Sequence, residues 1–429
     1  MQNFGHRDFL LYFLLSYYFI AYDYGVRVLL IWLIENAYFS LVELPYNYLA
    51  YRRLLPFPYQ TNFSQRATDY EFVVVEMLKH YFKYSQGQPA WSVFFDGRSF
   101  ELLNKIRRWR ECNDGLGDTA IENICINQGS SCHATWIYTR SRVISKAHDI
   151  LIFYIHGGNG FGVGSGHLYN EYLSILLINL LEQGFSNPGI LVPIFSNKIE
   201  KYPSQISQLM KDYQYLLKKR NEDTHIVLMS DSTGSTLAIS MLLNMNHPSN
   251  GFTQDQLMTK PDAAIFISPI TKLFHSPPTN TPNPSDYLTQ STIHKWAANY
   301  IDKSIMGTPQ ISFLDASTIK DCQVWRNSMP QKGVVISYGD EECIKEDIEG
   351  FIELLTQSGV KLKVDKQIAQ VHNWSILGFY TERLIDHREA SLQIYSGILS
   401  RMFLWNTPAY VNGDSKEPTN IITIDEEYT

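Results

Sequence analysis

Ser230-Asp231-Ser232-Thr233-Gly234 and, about 75 residues before it, His156-Gly157-Gly158-Asn159-Gly160-Phe161 are the stretches whose reading decides the fold. Each follows an apolar run that reads as a buried strand, Ile150 to Ile155 (ILIFYI) and His225 to Met229 (HIVLM), and each leads into a helical pattern. A strand, a tight turn of small residues centred on serine, and then a helix lift one hydroxyl clear of its own backbone. The pair of motifs predicts a serine nucleophile with an oxyanion hole.

The chemistry explains the residue types. A serine hydroxyl is a weak nucleophile at neutral pH, so it needs a hydrogen-bonded base and backbone N–H donors fixed in advance for the developing oxyanion. Ser230 and Gly234 flank Ser232 at minus and plus two, where a bulky side chain would strike a neighbouring element. Gly157 and Gly158 let their N–H groups approach a substrate oxygen, and the N–H of Thr233 adds a third donor from the helix start. Asn159 stands where a further glycine is expected, and Asn is the non-glycine residue that best tolerates positive φ.

The partners should follow in the order serine, acid, histidine, each after a later strand. Gly333 to Tyr338 (GVVISY) ends in Gly339-Asp340-Glu341-Glu342-Cys343-Ile344, and Lys361 to Val371 ends at His372. Between them Ile348, Phe351, Ile352 and Leu355 recur at helical spacing up to Gly359. Ser232, Glu342 and His372 are therefore the expected triad, with Asp340 as the competing acid because only register separates the two.

The HGG-type loop, the D-S-x-G elbow, the Gly-x-x-Glu acid turn and the late histidine resemble the hormone-sensitive-lipase branch of the α/β-hydrolases. Within that branch, four features are similar to fungal steryl acetyl hydrolases. They are the apolar N-terminus, Lys201-Tyr202-Pro203 before a helix, Ile267-Ser268-Pro269 ending a strand, and Ser337-Tyr338-Gly339 before the acid turn. The resemblance covers roughly residues 130 to 400, with motif glycines replaced at Asn159 and Ser230. It implies an α/β-hydrolase fold and a deacetylase removing acetyl or short acyl groups from sterols or other lipophilic alcohols. It also implies a catalytic domain on the luminal side of the endoplasmic reticulum membrane.

The rest of the chain is consistent with a mostly parallel sheet flanked by helices. Further strands are expected at 134–138, 190–195, 263–267, 334–338 and 361–368, alternating with helices at 168–182, 206–219, 233–245 and 390–404. Residues 1–50 read as a hydrophobic membrane anchor and 51–411 as the catalytic domain. Within that domain, 51–130 and about 271–320 contribute to a helical cap, the latter rich in Pro, Ser, Thr and Asn. The acidic residues 412–429 read as a disordered tail.

Phe9 to Tyr22 is apolar except for Ser16, and Val28 to Ile34 follows Asp23 and Arg27. Fourteen residues fall short of the ~20 a spanning helix needs. The longer span to Ile34 carries two charges, each costing about 2.5–3.5 kcal/mol at a bilayer centre, which i, i+4 pairing of Asp23 with Arg27 would offset. Membrane attachment as a signal anchor or interfacial hairpin competes here with a buried cap helix.

A net charge of −7 argues against nucleic acid as a partner, and the sequence has no HExxH and no paired CxxC. No cofactor or metal is expected, and oligomeric state is left open. Cys112, Cys125 and Cys132 are close enough in sequence for one disulfide. Two other functions fit the same residues. One is a soluble carboxylesterase or arylformamidase-like hydrolase; the other is a catalytically impaired lipid-binding derivative, suggested by Asn159 and Ser230.

Overall fold

Ile150–Ile155 is buried at all six positions, and its side chains divide by parity. Leu151, Phe153 and Ile155 enter one apolar cluster, while Ile150, Ile152 and Tyr154 enter another. A strand alternates its side chains between faces, so a run apolar at every position must be covered on both sides. The computed structural model describes residues 5–84, 97–110, 118–126, 133–143, 147–158, 166–195, 201–246, 258–274, 285–305 and 313–405. Asn159, Cys112, Cys132, the segment 275–284 of the expected cap and the acidic tail lie outside them.

The strands are β1 Thr119–Cys125, β2 His133–Thr139, β3 Ile150–Ile155, β4 Gly189–Ile194, β5 His225–Asp231, β6 Ala263–Ile267, β7 Gly333–Gly339 and β8 Leu362–Gln367. They form one sheet in the order β1-β2-β4-β3-β5-β6-β7-β8. β1, β2 and β4 pair antiparallel, and every pairing from β4 through β3 to β8 is parallel. This is the α/β-hydrolase arrangement. The seven expected strands are all present, but β1 falls in the stretch read as cap. Thr119–Cys125 (TAIENIC) is a half-exposed edge strand with Glu122, Asn123 and Cys125 in solvent, so it lacks the apolar density of its neighbours.

The longer helices are α1 His6–Tyr24, α2 Val26–Leu54 with two π-helical stretches, α3 Asp69–Tyr84, α4 Gly97–Arg110, α5 Gly166–Glu182, α6 Ser204–Leu217, α7 Ser232–Asn246, α8 Gln290–Tyr300, α9 Lys345–Gln357, α10 Trp374–Thr381 and α11 Ile385–Phe403. α6, α7 and α9 cover one face of the sheet; α5 and α11 cover the other.

The segment expected to be the anchor packs one face against the rest of the protein. In α1 the row Asp8, Tyr12, Ser16 and Ile20 is buried, whereas the row Leu10, Leu14, Tyr18 and Tyr22 is exposed. Residues four apart share a helix face, so α1 has one face in the protein and one outside it. Asp8 is the reason it stays there. It accepts from Arg107 and from Arg110 Nη2 (2.9 Å), while Arg107 also holds Glu171 through Nε (3.0 Å) and Nη2 (2.9 Å). Arg388 reaches the same Glu171 at 3.3 Å, so the network joins α1, α4, α5 and α11. Asp23 pairs with Arg98 rather than with Arg27, because the chain breaks at Gly25 and the two lie on different helices.

α2 is the one helix among the described residues long and apolar enough to cross a membrane. Its inner face is nonetheless tied along α3. Asn36 bonds His80 (3.0 Å), Phe39 stacks on His80 (3.7 Å between ring centroids), and Asn47 donates to Glu76 (2.8 Å).

Replacing Arg107 by Met would leave Asp8 and Glu171 buried without their main partner. Arg107→Met should lose about 3–5 kcal/mol of stability in denaturant unfolding, far more than a surface ion pair would cost.

Candidate active site

The end of β5 determines where the site sits. Ser232 has φ 51°, the left-handed region that non-glycine residues rarely occupy, and it is the first residue of α7. The turn is this tight because α7 starts against the end of β3. A Cβ on Gly234 would overlap the carbonyl oxygens of Ile155 and His156, so only glycine fits. Ser230, the departure at minus two, is fully buried with its hydroxyl 3.0 Å from that of Ser235. The extra oxygen is thereby satisfied within the turn.

Ser232 Oγ lies 2.8 Å from His372 Nε2, and His372 Nδ1 lies 3.0 Å from Glu342 Oε2. The structure thus brings together the three residues expected from the sequence. Asp340 is elsewhere: its carboxylate accepts from the Ala369 N–H at 2.7 Å. Glu342 is fixed on its other oxygen by Ser268 Oγ (2.6 Å) and the Gly339 N–H (2.7 Å). Ser268 Oγ in turn accepts from the Asn373 N–H at 2.9 Å, linking the acid turn to the base loop.

The expected oxyanion residues divide. Gly158 N–H donates to Thr233 Oγ1 at 2.6 Å, and Thr233 N–H lies in the first turn of α7, where no helical acceptor exists. The Gly157 N–H, expected to face the oxyanion, donates instead to Asp231 Oδ1 at 2.9 Å. Glycine is still required there, because a Cβ would lie 2.5 Å from Asp231 Oδ2 and 3.1 Å from Ser232 Cβ. His156 bonds the Gly157 carbonyl at 2.8 Å, and burial pushes its pKa down to about 4, so it is a neutral part of the loop.

Asp231 has a role that the elbow motif alone does not reveal. Besides Gly157 it accepts from Tyr154, Tyr169 and Asn373, all at 2.9 Å, which binds the oxyanion loop to the base loop beneath the serine. Burial pushes its carboxyl up, and these four donors pull it back. For His372, burial opposes protonation, but the Glu342 bond and the charges of Glu342, Asp286 and Asp231 outweigh it and raise the pKa above the ordinary value.

A cavity of 240 Å³ opens over Ser232 and His372. Its wall is largely aromatic and aliphatic, with Tyr287, Leu288 and Trp296 from the insertion after β6 and Phe9, Tyr12 and Phe13 from α1. The contribution of α1 could not be read from the sequence, where the helix is apolar on every side. Among the described residues no group of three or more His, Cys, Asp or Glu is arranged to hold a metal ion.

An eight-stranded sheet with a strained serine at the β5–α7 turn, facing a histidine from beyond β8, defines an α/β-hydrolase of the hormone-sensitive-lipase type, a carboxylic ester hydrolase. Residues 110–400 match the family model for steryl acetyl hydrolase, well over half of the chain, and the chain belongs to that family. Solved structures share the fold at low identity. A bacterial hormone-sensitive-lipase-family esterase superposes with a TM-score of 0.54 at 17% identity, covering 78% of this chain and 98% of its own. Carboxyl esterase 2 from the mycorrhizal fungus Tuber melanosporum gives 0.51 at 17% identity over 68% and 88% of the two chains. A thermostable esterase from Pseudomonas putida gives 0.52 at 13% identity over 76% and 96%. A search of curated protein sequences finds no match.

Ser230→Ala would leave the Ser235 hydroxyl buried without its partner. It should cost about 1–3 kcal/mol in denaturant unfolding while leaving ester turnover per folded molecule unchanged.

Proposed function

We propose that Ser232 is the nucleophile, His372 the general base and acid, and Glu342 the carboxylate that orients the imidazole, in hydrolysis of acetyl or short acyl esters of sterols or other lipophilic alcohols. The unbroken chain from Ser232 Oγ through the imidazole to Glu342, at 2.8 and 3.0 Å, is the observation that carries this reading. Ser232 attacks the acyl carbon as its proton passes to His372 Nε2, giving a tetrahedral oxyanion. The Gly158 and Thr233 N–H groups receive that charge, with the substrate oxygen taking the place Thr233 Oγ1 now occupies. Collapse expels the alcohol, which leaves with the proton from His372. Water, deprotonated by the same imidazole, then attacks the acyl-enzyme and releases the carboxylic acid and Ser232.

The apolar cavity supports a lipophilic alcohol over a small polar one. A buried, tightly hydrogen-bonded serine favours an enzyme over a lipid-binding derivative.

The same reading includes attachment to a membrane. Lying along α3, which carries Glu71, Glu76, Lys79 and His80, α2 would draw these polar groups into hydrocarbon if it spanned the bilayer. We therefore propose that α2 lies in the plane of the interface, with its outward Leu30, Ile34, Leu41 and Leu49 in the lipid, continuous with the exposed row of α1. On the family resemblance, that membrane is the endoplasmic reticulum with the catalytic domain on the luminal side.

A fluorophosphonate probe should label the native protein and not Ser232→Ala, and sterol acetate turnover should disappear with the label. Glu342→Gln should lower kcat about 10⁴-fold, as in other triads whose acid is neutralised, while Asp340→Asn stays near native. Equal loss in both variants would overturn the choice of acid. Because His372 must be neutral to accept the proton and its pKa is raised, activity should rise with pH through a midpoint above that of an ordinary histidine.

For the membrane, Leu14→Asp combined with Leu30→Asp should abolish co-flotation with phosphatidylcholine vesicles and spare turnover of a water-soluble short-chain ester. Native protein that resists alkaline extraction from membranes, as a spanning helix would, contradicts the in-plane arrangement.

A further inference from the structure

Asp286 lies in the insertion between β6 and β7 and is fully buried, yet it belongs to none of the steps above. Its carboxylate accepts three backbone N–H groups, and the Cys343 thiol bonds it as well. Oδ1 takes the N–H of His372 at 3.2 Å and of Tyr287 at 2.8 Å; Oδ2 takes the N–H of Cys343 at 2.7 Å. One group thus holds the base at its own backbone, the residue next to the acid, and the cap segment whose next two residues, Tyr287 and Leu288, line the cavity. The ring of Tyr287 also meets that of His372 edge to face, 5.8 Å between centroids at 75°.

We propose that Asp286 is a positioning residue that clamps the His372 and Glu342 loops together from the cap side. Three backbone donors converge on it, so it acts as an ionised acceptor; a protonated carboxyl would have to aim an O–H at one of those N–H groups. Burial raises its pKa, with the charge of Glu342 adding to that push and the charge of His372 and the backbone donors opposing it. The ionisable and hydroxyl-bearing groups facing the imidazole are Glu342 from the turn after β7, Asp286 and Tyr287 from the insertion, and Asp231 and Ser232 from the elbow. Removing the charge of Asp286 must make His372 less basic. Removing one of its two oxygens must loosen whichever loop then faces an amide NH2.

The proposal rests on His372 being the base, and the test separates the two. The pH dependence of kcat/KM on a short-chain ester and of fluorophosphonate labelling at Ser232 is measured for the native protein, Asp286→Asn and Asp365→Asn. Asp365 is a buried carboxylate bonded to Ser337 and Gln367 rather than to the triad loops, and it serves as the control for a merely structural loss. Asp286→Asn should lose kcat by about 10- to 100-fold, as a displaced reacting group does, with the loss in kcat rather than KM. Its acidic limb should move to lower pH by about half a unit or more, while that of Asp365→Asn stays in place.

An Asp286→Asn variant with native kcat, or with an unmoved limb, would overturn the clamp and leave His372 as the base. A native profile with no acidic limb would overturn the base assignment and the clamp with it. Where the Asn variant does not fold, Asp286→Glu decides: the retained charge should keep the limb in place while the longer arm lowers kcat several-fold. Native kcat in that variant would overturn the proposal.

Discussion

The close approach of α7 to the end of β3 sets the geometry on which the site depends. Because no side chain fits between Gly234 and the carbonyls of Ile155 and His156, the helix begins directly above that strand end and the chain must reverse within one residue. Ser232 absorbs the reversal with φ 51°, at a cost of about 1–3 kcal/mol for a non-glycine residue in this region. Such strain persists only where its surroundings over-determine it. Here the buried Ser230–Ser235 pair and the four donors to Asp231 hold both sides of the turn, so a gain in packing at one glycine is converted into a hydroxyl aimed at His372.

Around this elbow the chain has gathered three buried carboxylates, Asp231, Asp286 and Glu342. Isolated charges at such depth are costly, and each is stabilised by N–H or O–H donors drawn from more than one loop. The same donors that make the charges tolerable also fix the loops. Asp231 joins the oxyanion loop to the base loop, Ser268 joins the acid turn to the base loop, and Asp286 joins both to the cap. Their summed negative potential surrounds a single imidazole, which is why His372 stays more basic than its burial alone would allow.

The legible parts of this design are those written in local pattern. A run apolar at every position, as in ILIFYI, has no reading other than an element covered on both faces, and the order of serine, acid and histidine follows from the strand order. Register within Gly339 to Cys343 was enough to place Glu342 in the site but not to exclude Asp340. Excluding it requires knowing that the Ala369 N–H lies across from Asp340. Gly157 shows a related limit of pattern: sequence shows that a residue lacks Cβ, not that its N–H is held by Asp231. Asp286 is not legible in the sequence, since a carboxylate held mainly by backbone N–H groups leaves no charged partner in the pattern. β1 is not legible because a half-exposed edge strand resembles a loop in composition.

The N-terminus follows a different logic. Its residues are apolar on all sides of α1, so composition alone suggests a helix bound for lipid; what distinguishes the faces is one aspartate. Asp8 sits on the row that runs through Tyr12, Ser16 and Ile20, and pairing with Arg107 and Arg110 turns that row inward. Phe9, Tyr12 and Phe13 then become part of the catalytic cavity, and Leu10, Leu14, Tyr18 and Tyr22 are left on the outside. A single helix, about 10–12 Å across with its side chains, therefore separates the cavity over Ser232 from the exposed apolar row of α1. Under the proposed function, a lipophilic ester held in a membrane against that row would have only this helix between it and the serine. A segment that could be cut away as a mere tether would leave the cavity without one of its walls.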